Sequence, residues 1–223
     1  MSGGHRAIED RLVIDRAEVV DRLRKVRAVV CDWDGVFNDG FKDAEGGSPF
    51  SEVDSMGVNL LRFAMWSEHG TLPVCAVITG QHNAFAERFA QREKLHGVYM
   101  GFTHKPEAFD RFLTAHDLKP EQVLFVYDDV LDLPVAERCG LRVLIGHRAT
   151  HLFQRGALAR RCADIVIPLG GGHHGLREAC ELLIELGGHW NAVIDHRVRY
   201  SDHYQQYLAA RNATAVQVVK NPR

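Results

Sequence analysis

Short apolar runs alternate with amphipathic stretches along most of the chain. Residues 28–31, 73–78 and 122–127 are runs typical of strands that are buried on both faces of a sheet. Residues 56–70 and 84–92 have apolar side chains at helical spacing. This alternation predicts an α/β fold in which helices cover both faces of a doubly wound parallel sheet. The other predicted strands are 97–100, 141–145 and 164–167, and the other predicted helices are 106–116, 133–138, 153–161 and 175–186.

A glycine-rich stretch follows the first predicted strand. Phe41 and Phe50 stand on either side of residues 45–49, whose sequence is Glu-Gly-Gly-Ser-Pro. Aromatic residues that flank such a turn favour a β-hairpin. We therefore predict a β-hairpin flap over about residues 37–53, placed so that it overhangs the end of the first strand.

The pattern changes at both ends of the chain. Residues 7–25 are charged, with apolar positions at helical spacing, and predict a helix before the domain proper. Beyond residue 187 the chain becomes rich in Tyr, His and Arg, which predicts an extra C-terminal helix and a frayed tail. The predicted organisation is an N-terminal helical segment over 1–25, an α/β domain over 26–187 and a C-terminal extension over 188–223.

Composition narrows the classes of function. The 223 residues carry a net charge of −2 with the two signs mixed, so neither nucleic acid nor an anionic membrane is an expected partner. No apolar run is long enough to cross a bilayer and the N-terminus shows no apolar signal region, so we expect a cytoplasmic protein. The five cysteines form no Cys-x-x-Cys pair and are typical of reduced core residues. The 13 histidines show no metal-binding spacing, and none is assigned to a metal.

Charged and hydroxyl side chains follow four of the predicted strands. Asp32 and Asp34 follow the first strand and Thr79 ends the second. Lys105 lies just past the third strand, and Asp128 follows the fourth. Alone, each has an ordinary explanation as a strand-end hydroxyl, a solvated lysine or a helix N-cap. Because the carboxyl ends of parallel strands converge on one crevice, together they form a set suited to phosphoryl transfer with Mg²⁺.

The motifs at these strand ends carry a family resemblance. They are residues 31–40 (CDWDGVFNDG), 77–80 (VITG), Lys105 and 128–132 (DDVLD), followed by a turn and helix at 171–178 (GGHHGLRE). Together they resemble haloacid dehalogenase superfamily phosphatases, in particular the small, capless 3-deoxy-D-manno-octulosonate 8-phosphate phosphatase family. The resemblance implies Mg²⁺-dependent hydrolysis of a phosphomonoester through an aspartyl-phosphate. It also implies a homotetramer in which the flap and a neighbouring subunit close the active site.

The resemblance assigns a role to each residue that matches a motif. Asp32 is implied as the nucleophile and as a ligand of the metal. Asp34 is implied as the acid that protonates the leaving oxygen and then activates water, while its main-chain carbonyl binds Mg²⁺. Thr79 and Lys105 are implied to hold the transferring phosphoryl group, and Asp128 to complete the metal site.

Other residues are given supporting roles by the same resemblance. Asp129 is expected to orient Lys105 or a metal-bound water, and Asp132 only to cap or brace the helix that follows. The residues expected to contact substrate are Gly80, Gln81, Asp54 and His173.

The chain departs from the family pattern at several positions. Tyr127 stands where the family usually has glycine, so it either crowds the metal site or places a phenol over it. Gln81, Val53 and His173 stand where arginine is common. Because arginine binds a carboxylate through two hydrogen bonds, these changes argue against the same sugar-acid substrate. His173 and His174 either take over part of that role or are plain surface residues.

The prediction is a Mg²⁺-dependent phosphatase that acts on a small phosphorylated metabolite. A sugar or sugar-acid phosphate such as 3-deoxy-octulosonate 8-phosphate is the first candidate, and the same fold with another phosphorylated substrate is the close alternative. The alternative from another class is a catalytically weak or silent relative that serves as an oligomerisation or regulatory domain. Tyr127 favours that alternative, whereas the retained Asp32, Asp34, Lys105 and Asp128 disfavour it.

Overall fold

A seven-stranded parallel sheet forms the centre of the molecule, with strand order β6-β5-β4-β1-β2-β3-β7. The computed structural model describes residues 8–222, so residues 1–7 and Arg223 of the predicted terminal segments lie outside the described part. The predicted doubly wound parallel α/β fold is confirmed. The strands are β1 (Ala28–Cys31), β2 (Val74–Thr79), β3 (Gly97–Met100), β4 (Val123–Tyr127), β5 (Leu141–Ile145), β6 (Ile165–Ile167) and β7 (Gln217–Lys220).

Helices pack on both faces of this sheet. Successive residues of β1 point to opposite faces, as the strand geometry requires: Val29 and Cys31 join one apolar core, and Ala28 and Val30 join the other. Because both faces of the sheet are buried, the sequences of the central strands are unbroken apolar runs. The helices are α1 (Arg16–Lys25), α2 (Glu52–His69), α3 (Ala84–Glu93), α4 (Lys105–His116), α5 (Leu133–Ala136), α6 (His151–Ala159), α7 (Gly175–Leu186), α8 (Trp190–Val198) and α9 (Asp202–Asn212).

Helix α2 begins four residues earlier than the apolar spacing predicts. The side chain of Ser51 accepts a hydrogen bond from the backbone N–H of Val53, 2.9 Å away, and so caps the helix N-terminus. The first turn is mostly polar, so periodicity alone does not reveal it. The helix ends at Gly70, whose φ of 68° places it in the left-handed region.

The predicted β-hairpin over residues 37–53 is wrong, because the chain between β1 and α2 forms an irregular loop. The carboxylate of Asp43 accepts hydrogen bonds from the backbone N–H groups of Glu45 and Gly47, at 3.0 and 2.7 Å. Such local bonds satisfy the backbone within the turn instead of across a strand pair. Of the two aromatic residues that flank the turn, Phe41 is exposed, whereas Phe50 packs against Trp33 and Phe89, together with Phe37.

The predicted N-terminal helix over 7–25 is interrupted. Leu12 forms an antiparallel bridge with Ile165 of β6, and helix α1 starts only at Arg16. The carboxylate of Asp15 accepts from the N–H of Ala17 at 2.8 Å and caps this new start. The helix is interrupted here because backbone groups find partners on the sheet: the N–H of Val13 donates to the Asp164 carbonyl and the Arg11 carbonyl accepts from the N–H of Val166, each at 2.9 Å.

The C-terminal extension is larger and better ordered than predicted. It contains two helices, α8 and α9, and the predicted frayed tail is wrong, since residues 217–220 form β7 in parallel register with β3. Helix α9 is fixed to α2: the phenol of Tyr204 donates to Asn59 Oδ1 at 2.9 Å, and that of Tyr207 to the Asn59 carbonyl at 3.1 Å. Whether 26–187 folds as a separate domain stays a prediction.

The sequence predicts that the cysteines are reduced core residues and that no segment crosses a bilayer. All five cysteines are buried and free. Among the helices of residues 8–222, none combines the length and apolar character that a bilayer span requires.

Candidate active site

The carboxyl ends of β1, β2 and β4 meet at an open cleft on one edge of the sheet. Asp32 and Asp34 enter it from the end of β1 and Asp128 from the end of β4. Thr79 enters from β2, and Lys105 from the first turn of α4. The structure therefore brings together the residues that the motifs singled out.

A buried lysine links two carboxylates at the bottom of the cleft. The Lys105 Nζ atom lies 2.7 Å from Asp32 Oδ1 and 2.5 Å from Asp132 Oδ1. All three residues are buried, Asp132 completely. A lysine held in this way presents a fixed positive charge beside the Asp32 carboxylate.

Asp132, not Asp129, contacts Lys105, so the expectation that Asp129 orients this lysine and that Asp132 only caps or braces a helix is corrected. The other role expected of Asp129, to orient a metal-bound water, stays a prediction. Asp132 ends the short 3-10 helix Val130–Asp132, which folds its carboxylate back towards α4. Asp129 is exposed, and its carboxylate accepts from the N–H of Val130 at 2.7 Å. In the sequence, the position of Asp132 one turn after Asp128 indicated that it could lie near the cleft. Only the fold shows that the carboxylate of Asp132, and not that of Asp129, points inward.

The pKa values of these groups reflect their crowding. Burial raises the pKa of Asp32 well above its usual range, and Asp132 and Asp128 raise it further, while Lys105 opposes the shift. Burial also raises the pKa of Asp132, again opposed by Lys105. Burial alone would lower the pKa of Lys105, but Asp32 and Asp132 outweigh it and raise that pKa. The lysine is therefore cationic, and its single charge does not balance the surrounding carboxylates.

A divalent cation fits this excess of negative charge. Oxygen atoms of Asp32, Asp128 and Asp132 all lie within 4.8 Å of one another. Oδ1 of Asp128 is buried, with no hydrogen-bond partner in the described part of the chain. Such an atom is costly unless something compensates it. Carboxylate oxygens are the ligands that hard divalent ions prefer, so the residues present fit a metal.

Asp128 has two close neighbours that sequence reasoning missed. The His147 Nε2 atom lies 3.2 Å from Asp128 Oδ2, and this contact raises the pKa of His147 against the effect of burial. A lone histidine in the loop after β5 gave no signal for that contact. Gly35 packs against the same carboxylate: a Cβ atom added there would lie 1.9 Å from Asp128 Oδ2, and its φ is +84°.

Asp34 is held by the loop that replaces the predicted hairpin. Its Oδ1 atom accepts a hydrogen bond from Lys42 Nζ at 2.5 Å and another from the hydroxyl of Ser48. Neither Lys42 nor Ser48 matches a motif, so neither was predicted. Their contact depends on the path of the loop between β1 and α2.

The end of β2 supplies the predicted phosphate-binding and substrate-binding residues. Thr79 is buried, and its hydroxyl accepts from the N–H of Gln81 at 3.4 Å. Gly80 and Gln81 both line the cleft, Gln81 at its exposed side. A substrate contact for Gln81 stays a prediction.

Asp54 and His173 are not among the residues that line the cleft. Asp54 is fully buried, accepts from the N–H of Arg177 at 3.1 Å and lies 3.2 Å from His174 Nδ1. Burial raises its pKa, opposed by His174. These bonds join α2 to the start of α7, which is a structural explanation for a charged residue in the first turn of α2. His173 is exposed in the turn before α7. A substrate contact for either stays a prediction.

Tyr127 neither crowds the metal site nor places its phenol over it, which corrects both expectations. Its side chain is buried in the core on the α4 and α6 face and stacks on Phe125. Its hydroxyl donates to the carbonyl of Cys162 at 2.9 Å. Successive side chains of a strand point to opposite sides of the sheet. Tyr127, the last residue of β4, points into the core on one face, whereas Asp128, the next residue, lies in the cleft at the end of the strand.

Known proteins resemble this chain in sequence and in fold. No protein-family model matches it. The 3-deoxy-D-manno-octulosonate 8-phosphate phosphatase of Escherichia coli is 30% identical over 172 residues, which cover 75% of this chain and 84% of that protein. The crystal structure of the Yersinia pestis enzyme of the same name is 27% identical with a TM-score of 0.63, and the match covers 78% of this chain and 89% of that one.

A third protein with this fold was solved with ligands. The 3-deoxy-D-manno-octulosonate 8-phosphate phosphatase of Moraxella catarrhalis, in complex with a magnesium ion, a phosphate ion and a KDO molecule, has a TM-score of 0.65 and is 22% identical. The match covers 81% of this chain and 98% of that one, and at this identity it supports the fold alone.

Proposed function

Because this chain belongs to the 3-deoxy-D-manno-octulosonate 8-phosphate phosphatase family of the haloacid dehalogenase superfamily, and is thus a phosphatase, we propose that it hydrolyses phosphate esters of small sugars or sugar acids with Mg²⁺ as cofactor. The observation that carries the proposal is the buried Lys105 between Asp32 and Asp132, next to Asp34 and Asp128 at the ends of β1 and β4.

The metal would be held by the oxygen atoms that face the cleft. The proposed ligands are the carboxylates of Asp32 and Asp128 and the main-chain carbonyl of Asp34. The unpartnered Oδ1 of Asp128 supports this set. Asp132 has both of its oxygens engaged, by Lys105 and by the N–H of Asp129 at 3.4 Å, whereas Asp32 contacts Lys105 through Oδ1. When bound, the ion would supply positive charge that offsets the carboxylates and the phosphate of the substrate.

The chain's own residues would carry out two displacements. Asp32 attacks phosphorus and forms an aspartyl-phosphate as the bond to the leaving oxygen breaks, and Asp34 gives that oxygen its proton. Asp34 then takes a proton from water, and the resulting hydroxide attacks phosphorus and releases Asp32. Lys105 and Thr79 bind the oxygens of the transferring group. Each residue ends in the state in which it began, and the products are an alcohol and phosphate.

The positively charged groups at the cleft limit which substrates it can bind. The E. coli relative acts, by its name, on a phosphate of a sugar acid. Among the described residues that line the cleft, Lys105 and His147 are the groups able to carry positive charge, and no arginine is present. Lys42 adds a charge beside the cleft, where it is paired with Asp34. Because arginine is the usual partner of a carboxylate, a neutral sugar phosphate competes with a sugar acid as the substrate.

We propose a cytoplasmic homotetramer as the working form. In such an assembly a neighbouring subunit would close the cleft and could bring to it the arginine that the lining of a single chain lacks. The five buried, free thiols support a reducing compartment.

The test is phosphate release from a panel of sugar phosphates, sugar-acid phosphates and aryl phosphates, with Mg²⁺ and with the metal removed. Metal-dependent turnover that is abolished in Asp32→Asn is the expected result. The ranking of neutral against acidic substrates then decides which class is used. If no compound is turned over, the proposal fails and the chain is a silent scaffold.

A further inference from the structure

The hydrogen bonds around Asp34 are one-sided. Both of its bonds, from Lys42 Nζ at 2.5 Å and from the Ser48 hydroxyl, end on Oδ1. Among the described residues, none bonds to Oδ2, and Asp34 lines the cleft. We infer that Lys42 and Ser48 are positioning residues which anchor Oδ1, so that Oδ2 is the atom that exchanges a proton with substrate and water. This inference rests on the proposed function.

The direction of the Ser48 hydroxyl follows from its other partners. Asn83 Nδ2 donates to Ser48 Oγ at 2.7 Å, and the Trp33 indole N–H lies 3.2 Å from the same oxygen. Lys42 Nζ lies 3.3 Å from it. These three groups are donors and cannot accept, so the proton of the Ser48 hydroxyl has Asp34 Oδ1 as its acceptor.

The donors themselves are fixed. Asn83 caps helix α3, where its Oδ1 accepts from the N–H of Phe85 at 3.0 Å, and this leaves its amide N–H₂ directed at Ser48. Trp33 is fully buried and also donates to the Ser48 carbonyl at 3.1 Å. Ser48 is itself completely buried. The anchor is therefore attached to the core, although it lies in a loop.

The Lys42 side chain completes the anchor from the solvent side. It keeps 27% of its surface exposed, so its substitution does not open the core. An oxygen that already accepts two hydrogen bonds is a poor site for a proton. The proton that Asp34 gives to the leaving oxygen, as the bond from phosphorus to that oxygen breaks, therefore resides on Oδ2. The proton later taken from water returns to Oδ2.

The experiment compares two leaving groups. An alkyl leaving group, as in a sugar phosphate, needs protonation by Asp34, whereas p-nitrophenolate leaves with little help. In Lys42→Met, kcat/KM for the best sugar phosphate should fall about tenfold or more, a fraction of the roughly 10²–10⁴-fold that general acid–base catalysis supplies. The value for p-nitrophenyl phosphate should fall much less. Lys42→Arg, which keeps the positive charge, should retain most of the wild-type kcat/KM.

Further variants separate positioning from general damage. Lys119 is an exposed lysine that precedes β4, at the end of the strands opposite the cleft. Lys119→Met is therefore the matched control and should behave as the wild type. Ser48→Ala should show the same dependence on the leaving group as Lys42→Met. Equal losses for both substrates, or no loss for either, would overturn the inference.

The two proposals fail in different ways. A wild-type protein that releases phosphate from no ester, with metal present, defeats the proposed function. If the wild type is active and Asp34→Asn shows the leaving-group dependence, but Lys42→Met does not, only the anchoring inference is defeated. Lys42→Gln, a second neutral variant, guards against an effect specific to methionine.

Discussion

Lys105 and Asp132 form an ion pair that is almost entirely removed from solvent: the Nζ–Oδ1 distance is 2.5 Å, and the side chains are 4% and 0% exposed. A buried pair of this kind need not stabilise a fold compared with apolar residues. Removing one partner is nevertheless costly, because the other charge stays buried with less compensation, and Lys105 would keep Asp32 as its remaining partner. The pair is best explained by what it does for Asp32, whose carboxylate Lys105 also contacts.

Substitution of Asp132 by asparagine should impair both stability and catalysis. The amide keeps the shape but removes the charge that holds Lys105 in place. We expect a loss of about 3 kcal/mol in the free energy of unfolding and a fall in kcat/KM of about tenfold or more. Urea unfolding and phosphate release measure the two effects.

Asp129→Asn is the matched control for that substitution. Asp129 is exposed and caps the turn through Val130, and asparagine caps about as well as aspartate, so this replacement should change both stability and activity little. If Asp129→Asn impaired turnover as strongly as Asp132→Asn, the assignment of the lysine partner would be wrong.

Gly35 should be necessary for the position of Asp128. In Gly35→Ala the new Cβ would meet Asp128 Oδ2 at 1.9 Å, so the carboxylate must move. Gly46 has a similar φ, +81°, but open space around it, so Gly46→Ala carries only the backbone strain of about 1–2 kcal/mol. We expect Mg²⁺ binding, measured by titration calorimetry, to weaken about 10–100-fold in Gly35→Ala. Equal Mg²⁺ affinity in the two variants would contradict the clash.

Tyr127 should matter for stability and not for catalysis. Tyr127→Phe removes the hydrogen bond to the buried carbonyl of Cys162 and should lower the free energy of unfolding by about 1–2 kcal/mol. The value of kcat should stay that of the wild type, because the phenol lies in the core away from the cleft. A changed kcat or Mg²⁺ affinity would restore the idea that this side chain acts at the metal site.

The parts of the fold that sequence patterns predict best are those with strong local signals. Helix α7 matches its predicted bounds, because a glycine-rich turn precedes it, a glycine follows it and its apolar face is regular. The strand ends could likewise be placed, since each apolar run stops at a polar residue. The sequence therefore located Asp32, Thr79 and Asp128 on one edge of the sheet.

Other parts depend on contacts between distant segments. Strand β7 is short and mostly exposed, and it forms because β3 offers an unpaired edge. The choice of Asp132 over Asp129 depends on how one turn folds back onto α4. The Lys42 contact depends on a loop whose local bonds at Asp43 replaced the expected hairpin. No local sequence pattern predicts these three features.

His96 gives a prediction on acid stability. Its Nδ1 atom accepts from the N–H of Cys75 at 3.1 Å, so the folded protein requires this nitrogen without a proton. Burial, together with Arg62 and His116, lowers the pKa of His96 to about 4. In the unfolded chain a histidine has a pKa of about 6.5. Between these values the unfolded state binds a proton that the folded state excludes, so stability contributed by neutral His96 is complete above pH of about 6.5 and declines as pH falls towards 4.

The variant His96→Asn tests this, because the Asn Oδ1 atom can accept the same bond from Cys75 and does not titrate. Its free energy of unfolding, from urea melts, should fall less than that of the wild type when the pH drops from about 7 to 5. His151→Asn, at an exposed histidine, should keep the wild-type dependence on pH. An unchanged pH slope in His96→Asn would mean that acid destabilisation arises elsewhere, with His116 as the next residue to replace, since burial lowers its pKa as well.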